Sequence, residues 1–251
     1  MGALLELKAV TKAYDTYAVV DQLDLTVNEG ELRCFIGPNG AGKTTTMDLI
    51  TGRQKLTGGK IMFDGRDITG LREHQIVRRG IGRKFQVPAV FRELTVRENL
   101  EVAFSRHPDP FINMTMFLRR IDKKRFDEVV DLIGLGDRLD ARAGYLSHGE
   151  TQWLEIGMVL TQNPRLLLMD EPTAGMTEQE THKTSEIFKR LKGSHTLVVV
   201  EHDMTFVREI AEIISVLHLG KLLAEGPMNT IENDPRVREV YLGTEGISDA
   251  T

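Results

Sequence analysis

The stretch that decides the fold is LRCFIGPNGAGKTTTMDLI, residues 32–50. Its apolar beginning, Leu32 to Ile36, predicts a buried strand, and Thr44 to Ile50 predicts a helix. The loop between them matches the pattern G-x-x-x-x-G-K-[ST] and stands where that pattern requires, after a strand and before a helix. A strand, a glycine-rich loop and a helix in this order predict a phosphate-binding loop in an α/β fold.

The residue types in this loop indicate what it binds. Glycines let the backbone curl so that successive N–H groups point inward, and together with the helix N-terminus they form a concavity for phosphate oxygens. Lys43 adds a mobile positive charge for the β and γ phosphates. The Thr44 hydroxyl is a hard oxygen ligand suited to Mg²⁺.

A second candidate segment is the apolar strand from Arg165 to Met169, which ends in Asp170 and Glu171. The carboxyl end of a buried strand opens onto the crevice where α/β folds bind ligands. Successive strand residues point to opposite sides, so the two acids are expected to have different roles. Asp170 suits the Mg²⁺ shell, directly or through water, and Glu171 suits a base that polarises the attacking water.

A third segment, YLSHGE at residues 145–150, precedes a predicted helix. Ser147-x-x-Glu150 is a capping box, so it predicts a well-capped helix start. A helix N-terminus with a serine hydroxyl and a glycine is also suited to phosphate. Because the chain already has one phosphate loop, a second phosphate site would serve the nucleotide of a second subunit.

The rest of the chain predicts alternating strands and helices. Asp64-Gly65 between apolar positions predicts a hairpin. From Thr95 to Leu160 the pattern is helical, with apolar residues at Phe126, Val129, Val130 and Ile133 before a stop at Gly134. Strand patterns return at residues 165–169, 196–200 and 213–219, with a helical stretch at 178–191. This alternation indicates a mostly parallel sheet with a helical insert.

Charge and hydropathy exclude two classes of protein. The 251 residues carry 32 Lys+Arg and 37 Asp+Glu, a net charge of −5, which excludes a dedicated nucleic-acid coat. The chain has no apolar segment close to the roughly 20 residues that a membrane-spanning helix needs, which excludes a protein that crosses a membrane by itself. Its first residues show no export signal, so we expect it to stay in the cytoplasm.

Taken in order, these segments resemble the nucleotide-binding subunit of an ATP-binding cassette (ABC) transporter over nearly the whole chain. The matching motifs are the Walker A loop (Gly37, Pro38, Asn39, Gly40, Ala41, Gly42, Lys43, Thr44), the Q-loop glutamine (Gln86), the signature (Leu146 to Glu150), the Walker B strand (Leu166 to Glu171), the D-loop (Thr173 to Met176) and the H-loop histidine (His202). Tyr14 fits the aromatic residue that stacks on adenine, with Tyr17 as a competitor.

The resemblance implies a fold and a division of the chain. The fold is α/β, a P-loop NTPase core with a mostly parallel sheet, an N-terminal antiparallel β subdomain and a helical insert. Residues 1–87 and 162–226 are expected to form the RecA-like core with the β subdomain, and 88–161 the helical subdomain with the signature. Residues 227–251 are expected to form a C-terminal tail.

The resemblance also implies a reaction, Mg²⁺-dependent ATP hydrolysis. The implied catalytic residues are Glu171, His202 and Gln86, and the implied metal ligands are Thr44, Gln86 and Asp170. Tyr14, the loop from Gly37 to Thr44, and Thr45 are the implied ATP-binding residues. The implied signature residues, which contact the ATP of a partner subunit, are Ser147, His148, Gly149 and Glu150.

The signature departs from the family pattern at two positions, His148 in place of glycine and Glu150 in place of glutamine. A carboxylate aimed at the γ-phosphate would repel it. We therefore expect Glu150 to cap its own helix, while Ser147 and Gly149 keep the phosphate contact.

The implied partners are a second ABC ATPase subunit of the same or a related chain, transmembrane permease subunits and, indirectly, an extracytoplasmic solute-binding protein, with no nucleic acid. The chain is expected at the cytoplasmic face of the inner membrane, as a peripheral protein. The apolar segment from Val87 to Phe91 is a candidate permease contact.

Residues 147–158, 171–177 and 233–243 resemble the branched-chain amino acid and urea importers, most closely the urea or short-chain amide branch. Branched-chain amino acid import is one alternative. Another is a soluble assembly ATPase of the iron-sulfur scaffold type, against which the segment from Pro227 to Gly243 argues. The signature and His202 argue against a small-molecule kinase.

Overall fold

The structure is a computed structural model that describes residues 2–84, 90–104 and 122–248, with side chains described as far as Tyr241. Within these ranges the chain forms a four-stranded sheet, a six-stranded sheet and helices. No helix in the described ranges is both long and apolar enough to span a membrane.

The smaller sheet is antiparallel throughout, with the strand order β2-β1-β4-β5. Its strands are β1 (Ala3–Tyr14), β2 (Tyr17–Asn28), β4 (Gly58–Phe63) and β5 (Arg66–Asp67). Asp64 and Gly65, between β4 and β5, both have positive φ, at 51° and 69°. Two central residues with positive φ are what a type I′ hairpin turn requires, so the predicted hairpin is confirmed.

The larger sheet has the strand order β10-β9-β3-β8-β7-β6 and is parallel except for β10. Its strands are β3 (Leu32–Ile36), β6 (Ile81–Lys84), β7 (Leu166–Asp170), β8 (Thr196–Val200), β9 (Ile213–His218) and β10 (Lys221–Gly226). Every residue of β3, β7 and β8 is buried. Most residues of these strands are apolar, as the sequence indicated for strands covered on both faces, and the buried polar exceptions are Arg33, Asp170 and Thr196.

The helices lie on both sides of the larger sheet. They are α1 (Lys43–Ile50), α2 (Glu73–Arg78), α3 (Val96–Phe104), α4 (Lys123–Ile133), α5 (His148–Leu160), α6 (Glu178–Leu191), α7 (Met204–Ile210), α8 (Met228–Asn233) and α9 (Pro235–Ser248). The four apolar residues predicted to share one face of α4 are all buried, and Gly134 ends the helix in the left-handed conformation, φ 63°. The predicted helical insert is confirmed in its described part.

The larger sheet separates two hydrophobic cores. Cys34 and Ile36 belong to the core shared with helices α3 to α9, whereas Phe35 between them belongs to the core shared with α1 and the smaller sheet. Alternate strand residues point to opposite faces, which produces this division. Ile231 and Val237 also belong to the first core, so the expected C-terminal tail forms two helices that pack on the sheet.

Candidate ATP-binding site

The phosphate-binding loop follows β3 and ends at the first turn of α1. Gly37 has φ 143°, and a Cβ atom there would lie 2.1 Å from the carbonyl oxygen of Leu217. Gly42, the residue before α1, has φ 97°. Only glycine fits both constraints, so the sequence closes the loop tightly and aims the N-terminus of α1 into it.

Lys43 lies over the loop. Its Nζ donates hydrogen bonds to the carbonyl oxygens of Gly37, at 2.6 Å, and Pro38, at 3.1 Å. Burial lowers the pKa of Lys43, and the negative charges of Glu171 and Asp170 oppose that shift. The ammonium therefore lies near the loop and within the field of the predicted base Glu171 and the predicted metal ligand Asp170.

Asp170, at the end of β7, has its carboxylate almost fully buried. Its Oδ2 accepts a hydrogen bond from Arg83 at 3.3 Å, and its Oδ1 has no hydrogen-bond partner among the described residues. Burial raises the pKa of Asp170, and Arg83 opposes the shift. A buried carboxylate oxygen without a hydrogen-bond partner is a suitable ligand for a divalent cation or for a water bound to one. The exposed hydroxyl of Thr44 is suitable for the same reason.

Arg83 is a site residue that the sequence analysis missed. Its guanidinium bridges two carboxylates, because it also donates to Asp48 of α1 at 2.5 Å and to the Thr51 hydroxyl at 3.3 Å. Asp48, Arg83 and Asp170 lie far apart in the sequence. The bridge holds the phosphate-loop helix, β6 and the end of β7 together.

The neighbouring residue Lys84 points to the other face of β6. It forms an ion pair with Glu155 of α5 at 3.4 Å, and both side chains are almost fully buried. Burial lowers the pKa of Lys84, opposed by the charge of Glu155. The end of β6 is therefore bonded to the phosphate-loop side through Arg83 and to α5 through Lys84.

The predicted base and the predicted H-loop histidine lie together. Glu171 has a positive φ of 46°, and its backbone N–H donates to Val200 of β8 at 2.9 Å. Its Oε1 lies 3.8 Å from Nδ1 of His202. The left-handed conformation at Glu171 turns the backbone directly after β7, which ends at Asp170.

Glu201 is a second residue with no predicted role. Its buried carboxylate accepts hydrogen bonds from the Thr173 backbone at 3.1 Å and hydroxyl at 2.6 Å, and from the His202 backbone at 3.1 Å. This carboxylate ties the segment after Glu171 to the segment that carries His202.

The signature segment begins α5 as a capping box. Ser147 Oγ accepts from the Glu150 backbone N–H at 3.1 Å, and Glu150 Oε2 accepts from the Ser147 backbone N–H at 2.9 Å. Glu150 also pairs with Arg138 at 3.0 Å. The expectation that Glu150 caps its own helix is confirmed.

Tyr14 and Tyr17 face each other at the end of the β1–β2 hairpin, and both are exposed. The Tyr14 hydroxyl donates to Gln54 at 2.7 Å, and Lys12 Nζ lies 4.6 Å from its ring centre. These contacts orient Tyr14, so it remains the predicted adenine-stacking residue. Gln86 lies outside the described residues.

Comparison with known proteins decides the family. The family model described as ABC transporter matches residues 20–174, and one described as branched-chain amino acid ATP-binding cassette transporter matches residues 221–247. The chain is 35% identical to the high-affinity branched-chain amino acid transport ATP-binding protein BraF of Pseudomonas aeruginosa, covering 96% of this chain and 98% of that protein. This chain belongs to the ABC transporter ATP-binding family.

Solved structures of ABC cassettes agree with this placement. The ADP conformation of MJ1267, an ATP-binding cassette of an ABC transporter, is 28% identical with a TM-score of 0.84, covering 97% of this chain and 100% of that one. The dimeric structure of the cassette MJ0796 bound to ADP and Pi is 26% identical with a TM-score of 0.73, covering 90% and 99%. The predicted ABC ATPase fold is confirmed, and the chain is an ATPase of this type.

The matched proteins carry a different solute description from the urea branch that the sequence predicts. They support the ATP-binding subunit of an ABC transporter of the branched-chain amino acid type, the alternative given above. They do not support the urea branch.

Proposed function

We propose that two copies of this ABC ATPase pair head to tail, with each ATP between the phosphate loop of one copy and the signature of the other, and that this closure drives an importer. The observation that carries the proposal is that one chain holds both halves of such a site, the loop at Gly37 to Thr44 and the capped turn at Ser147 to Glu150. The dimeric MJ0796 cassette supports the pairing.

Within each site, different residues contact the phosphates, the adenine and Mg²⁺. Lys43 and the loop N–H groups hold the phosphates, and Tyr14 stacks on the adenine. Thr44, Asp170 and Gln86 would hold Mg²⁺, which, when bound, neutralises charge on the β and γ phosphates.

Glu171 accepts a proton from the attacking water and orients it, and His202 lies beside its carboxylate. Glu171→Gln should bind ATP with unchanged affinity, while hydrolysis falls by about 10²- to 10⁴-fold, the usual loss for a positioned base. Malachite-green phosphate release and ATP titration calorimetry measure the two quantities. Turnover close to wild type would refute the assignment.

We propose branched-chain amino acids as the solute, because BraF and the matched C-terminal family model both carry that description. Urea and short-chain amides are the second candidate, on the strength of residues 147–158, 171–177 and 233–243. Uptake of labelled leucine and labelled urea in cells with and without the transporter separates them. Loss of urea uptake alone would reverse the assignment, and loss of neither would favour an assembly ATPase.

The ATPase acts at the cytoplasmic face of the membrane through protein contact with permease subunits, and a solute-binding protein acts on them from the other side. Phe91 is half exposed, and its backbone N–H donates to Asn99 of α3 at 2.8 Å. It offers an apolar contact for a permease helix, whereas the preceding residues 87–89 lie outside the described part of the chain. Phe91→Ala should preserve ATP affinity and lower uptake.

A further inference from the structure

Glu180 stands in the first turn of α6, and its two carboxylate oxygens have different partners. Oε2 accepts from the backbone N–H and hydroxyl of Thr177, at 3.0 and 3.1 Å, which completes the capping box of α6. Oε1 accepts from the Ser147 hydroxyl at 2.9 Å and from the Gly149 backbone N–H at 3.2 Å. One oxygen therefore serves its own helix, and the other serves the start of α5.

The two donors to Oε1, the Ser147 hydroxyl and the Gly149 N–H, are also predicted to bind phosphate. In the proposed dimer, the Ser147 hydroxyl and the N–H groups at the start of α5 bind the γ-phosphate of the partner's ATP. A carboxylate oxygen resembles a phosphate oxygen in charge and in its ability to accept hydrogen bonds, and both are stabilised at a helix N-terminus. Within one chain, Glu180 occupies donors that the partner's phosphate would need.

The carboxylate of Glu180 lies so close to Gly149 that a second anion has no room at the same donors. Gly149 is buried, and a Cβ atom built on it would lie 2.5 Å from Cδ of Glu180. His148, next in the turn, has its Nε2 2.9 Å from the carbonyl oxygen of Ala174 in the D-loop. The signature turn is thus bonded to the D-loop and α6 of its own chain through adjacent residues.

We propose that Glu180 is an autoinhibitory carboxylate, which occupies the signature donors in the unpaired subunit and must leave them before the partner's γ-phosphate can bind. This inference rests on the proposed head-to-tail dimer. Pairing would then exchange one anion for another at Ser147 and Gly149, so part of the ATP binding energy is used to displace Glu180.

The charge of Glu180 persists at neutral pH. Hydrogen bonds from the Thr177 backbone, and then from Ser147, Thr177 and Gly149, hold the pKa of Glu180 below its ordinary value. The competing group at the signature is therefore a carboxylate.

The test is ATP-dependent dimerisation of a hydrolysis-deficient parent, Glu171→Gln, measured by analytical ultracentrifugation. Glu180→Gln added to this parent keeps a side chain that can complete the capping box of α6, because glutamine also serves at this position. It removes the charge and replaces one acceptor with a donor. We expect half-maximal dimerisation at about tenfold lower ATP, since one lost charged contact of about 1.4 kcal/mol corresponds to a factor of ten.

Glu178→Gln is the matched control. Glu178 is exposed, lies in the same first turn of α6 and loses the same charge. Its substitution should leave the ATP requirement unchanged. Glu180→Ala is a second variant, which removes the anion without adding an amide donor and should shift dimerisation in the same direction.

The possible results distinguish a failure of autoinhibition by Glu180 from a failure of the head-to-tail dimer. A parent that never dimerises with ATP refutes the pairing and the autoinhibition together. A parent that dimerises, with both Glu180 variants unchanged or weaker, refutes autoinhibition alone and assigns Glu180 to joining α5 and α6. An equal shift in Glu178→Gln would also refute it, since the effect would then be general electrostatics.

Discussion

Replacement of Arg83 by leucine would test the bridge beneath the predicted metal site. The Arg83 side chain is only 5% exposed, and its partners Asp48 and Asp170 are 13% and 1% exposed. Leucine fills part of the space but leaves both carboxylates buried without their common cation. The charge of Asp48 and Asp170 then has to be carried in a poorly solvated region or neutralised by protonation.

The expected loss of stability in Arg83→Leu follows from this burial. Removing one partner of a buried ion pair typically costs about 3 to 5 kcal/mol. For chains of about 150 to 250 residues, each kcal/mol lowers the melting temperature by roughly 2 to 4 °C. Arg83→Leu should therefore lower the melting temperature by about 6 to 20 °C.

Arg165 provides the matched control, because it also bridges two carboxylates. It pairs with Glu29 at 2.7 Å and Asp64 at 2.8 Å, but its side chain is 42% exposed. An exposed bridge of this kind is worth about 1 kcal/mol or less. Arg165→Leu should lower the melting temperature by no more than a few degrees.

Thermal unfolding followed by far-ultraviolet circular dichroism measures both variants. Arg83→Leu combined with Asp48→Asn should recover part of the lost stability, because one unpaired charge is then removed. Equal destabilisation by Arg83→Leu and Arg165→Leu would contradict the importance of the buried bridge. A larger loss of stability when Asp48→Asn is added to Arg83→Leu would contradict it as well.

Substitutions of Tyr14, Lys43 and His195 test two contacts with ATP and one buried histidine. Tyr14→Ala should weaken ATP and GTP binding alike by about 1 to 3 kcal/mol, the range for a stacked base, and calorimetry would contradict it if only Tyr17→Ala had this effect. Lys43→Ala should abolish ATP binding in the same titration while the melting temperature stays near wild type; retained affinity would exclude the phosphate role. Burial lowers the pKa of His195 below its ordinary 6.5, so the folded state binds fewer protons than the unfolded chain, and unfolding free energy should decrease as pH falls below about 6.5. Urea titrations at several pH values measure the unfolding free energy, and in His195→Gln it should fall less steeply as the pH is lowered. The same pH dependence in His195→Gln and wild type would contradict the prediction.

Local patterns in the sequence predicted the elements that carry the site. The helix at 178–191 has the predicted bounds, because its start is fixed by a capping box at Thr177 and Glu180. The strand from Leu32 and the loop after it also agree, since apolar residues and glycines determine the backbone there. These are short-range effects, within about four residues along the chain.

Contacts between distant segments could not be predicted in the same way. Arg83 is 35 residues from Asp48 and 87 from Asp170. The pairing of β6 with β7 brings Arg83 to Asp170, and the packing of α1 in the same core brings Asp48 to Arg83. The capping box of Thr177 and Glu180 is a local contact, but nothing near Glu180 in the sequence indicates that its other oxygen reaches Ser147, 33 residues away. The nucleotide-binding motifs serve ATP, so they carry no information about the solute of the proposed importer.

The position of β6 at the edge of the larger sheet has a mechanical consequence. Within the described residues β6 pairs with β7 on one side, and its two basic side chains attach it to the phosphate-loop helix and to α5. An edge strand is restrained by one ladder of backbone hydrogen bonds, so it yields more easily than a central strand. A tilt of α5 would pull on Lys84, and the strand would transmit that displacement within one peptide unit to Arg83 and the carboxylate of Asp170. The geometry of the predicted metal ligand is therefore sensitive to the orientation of the signature helix of its own chain.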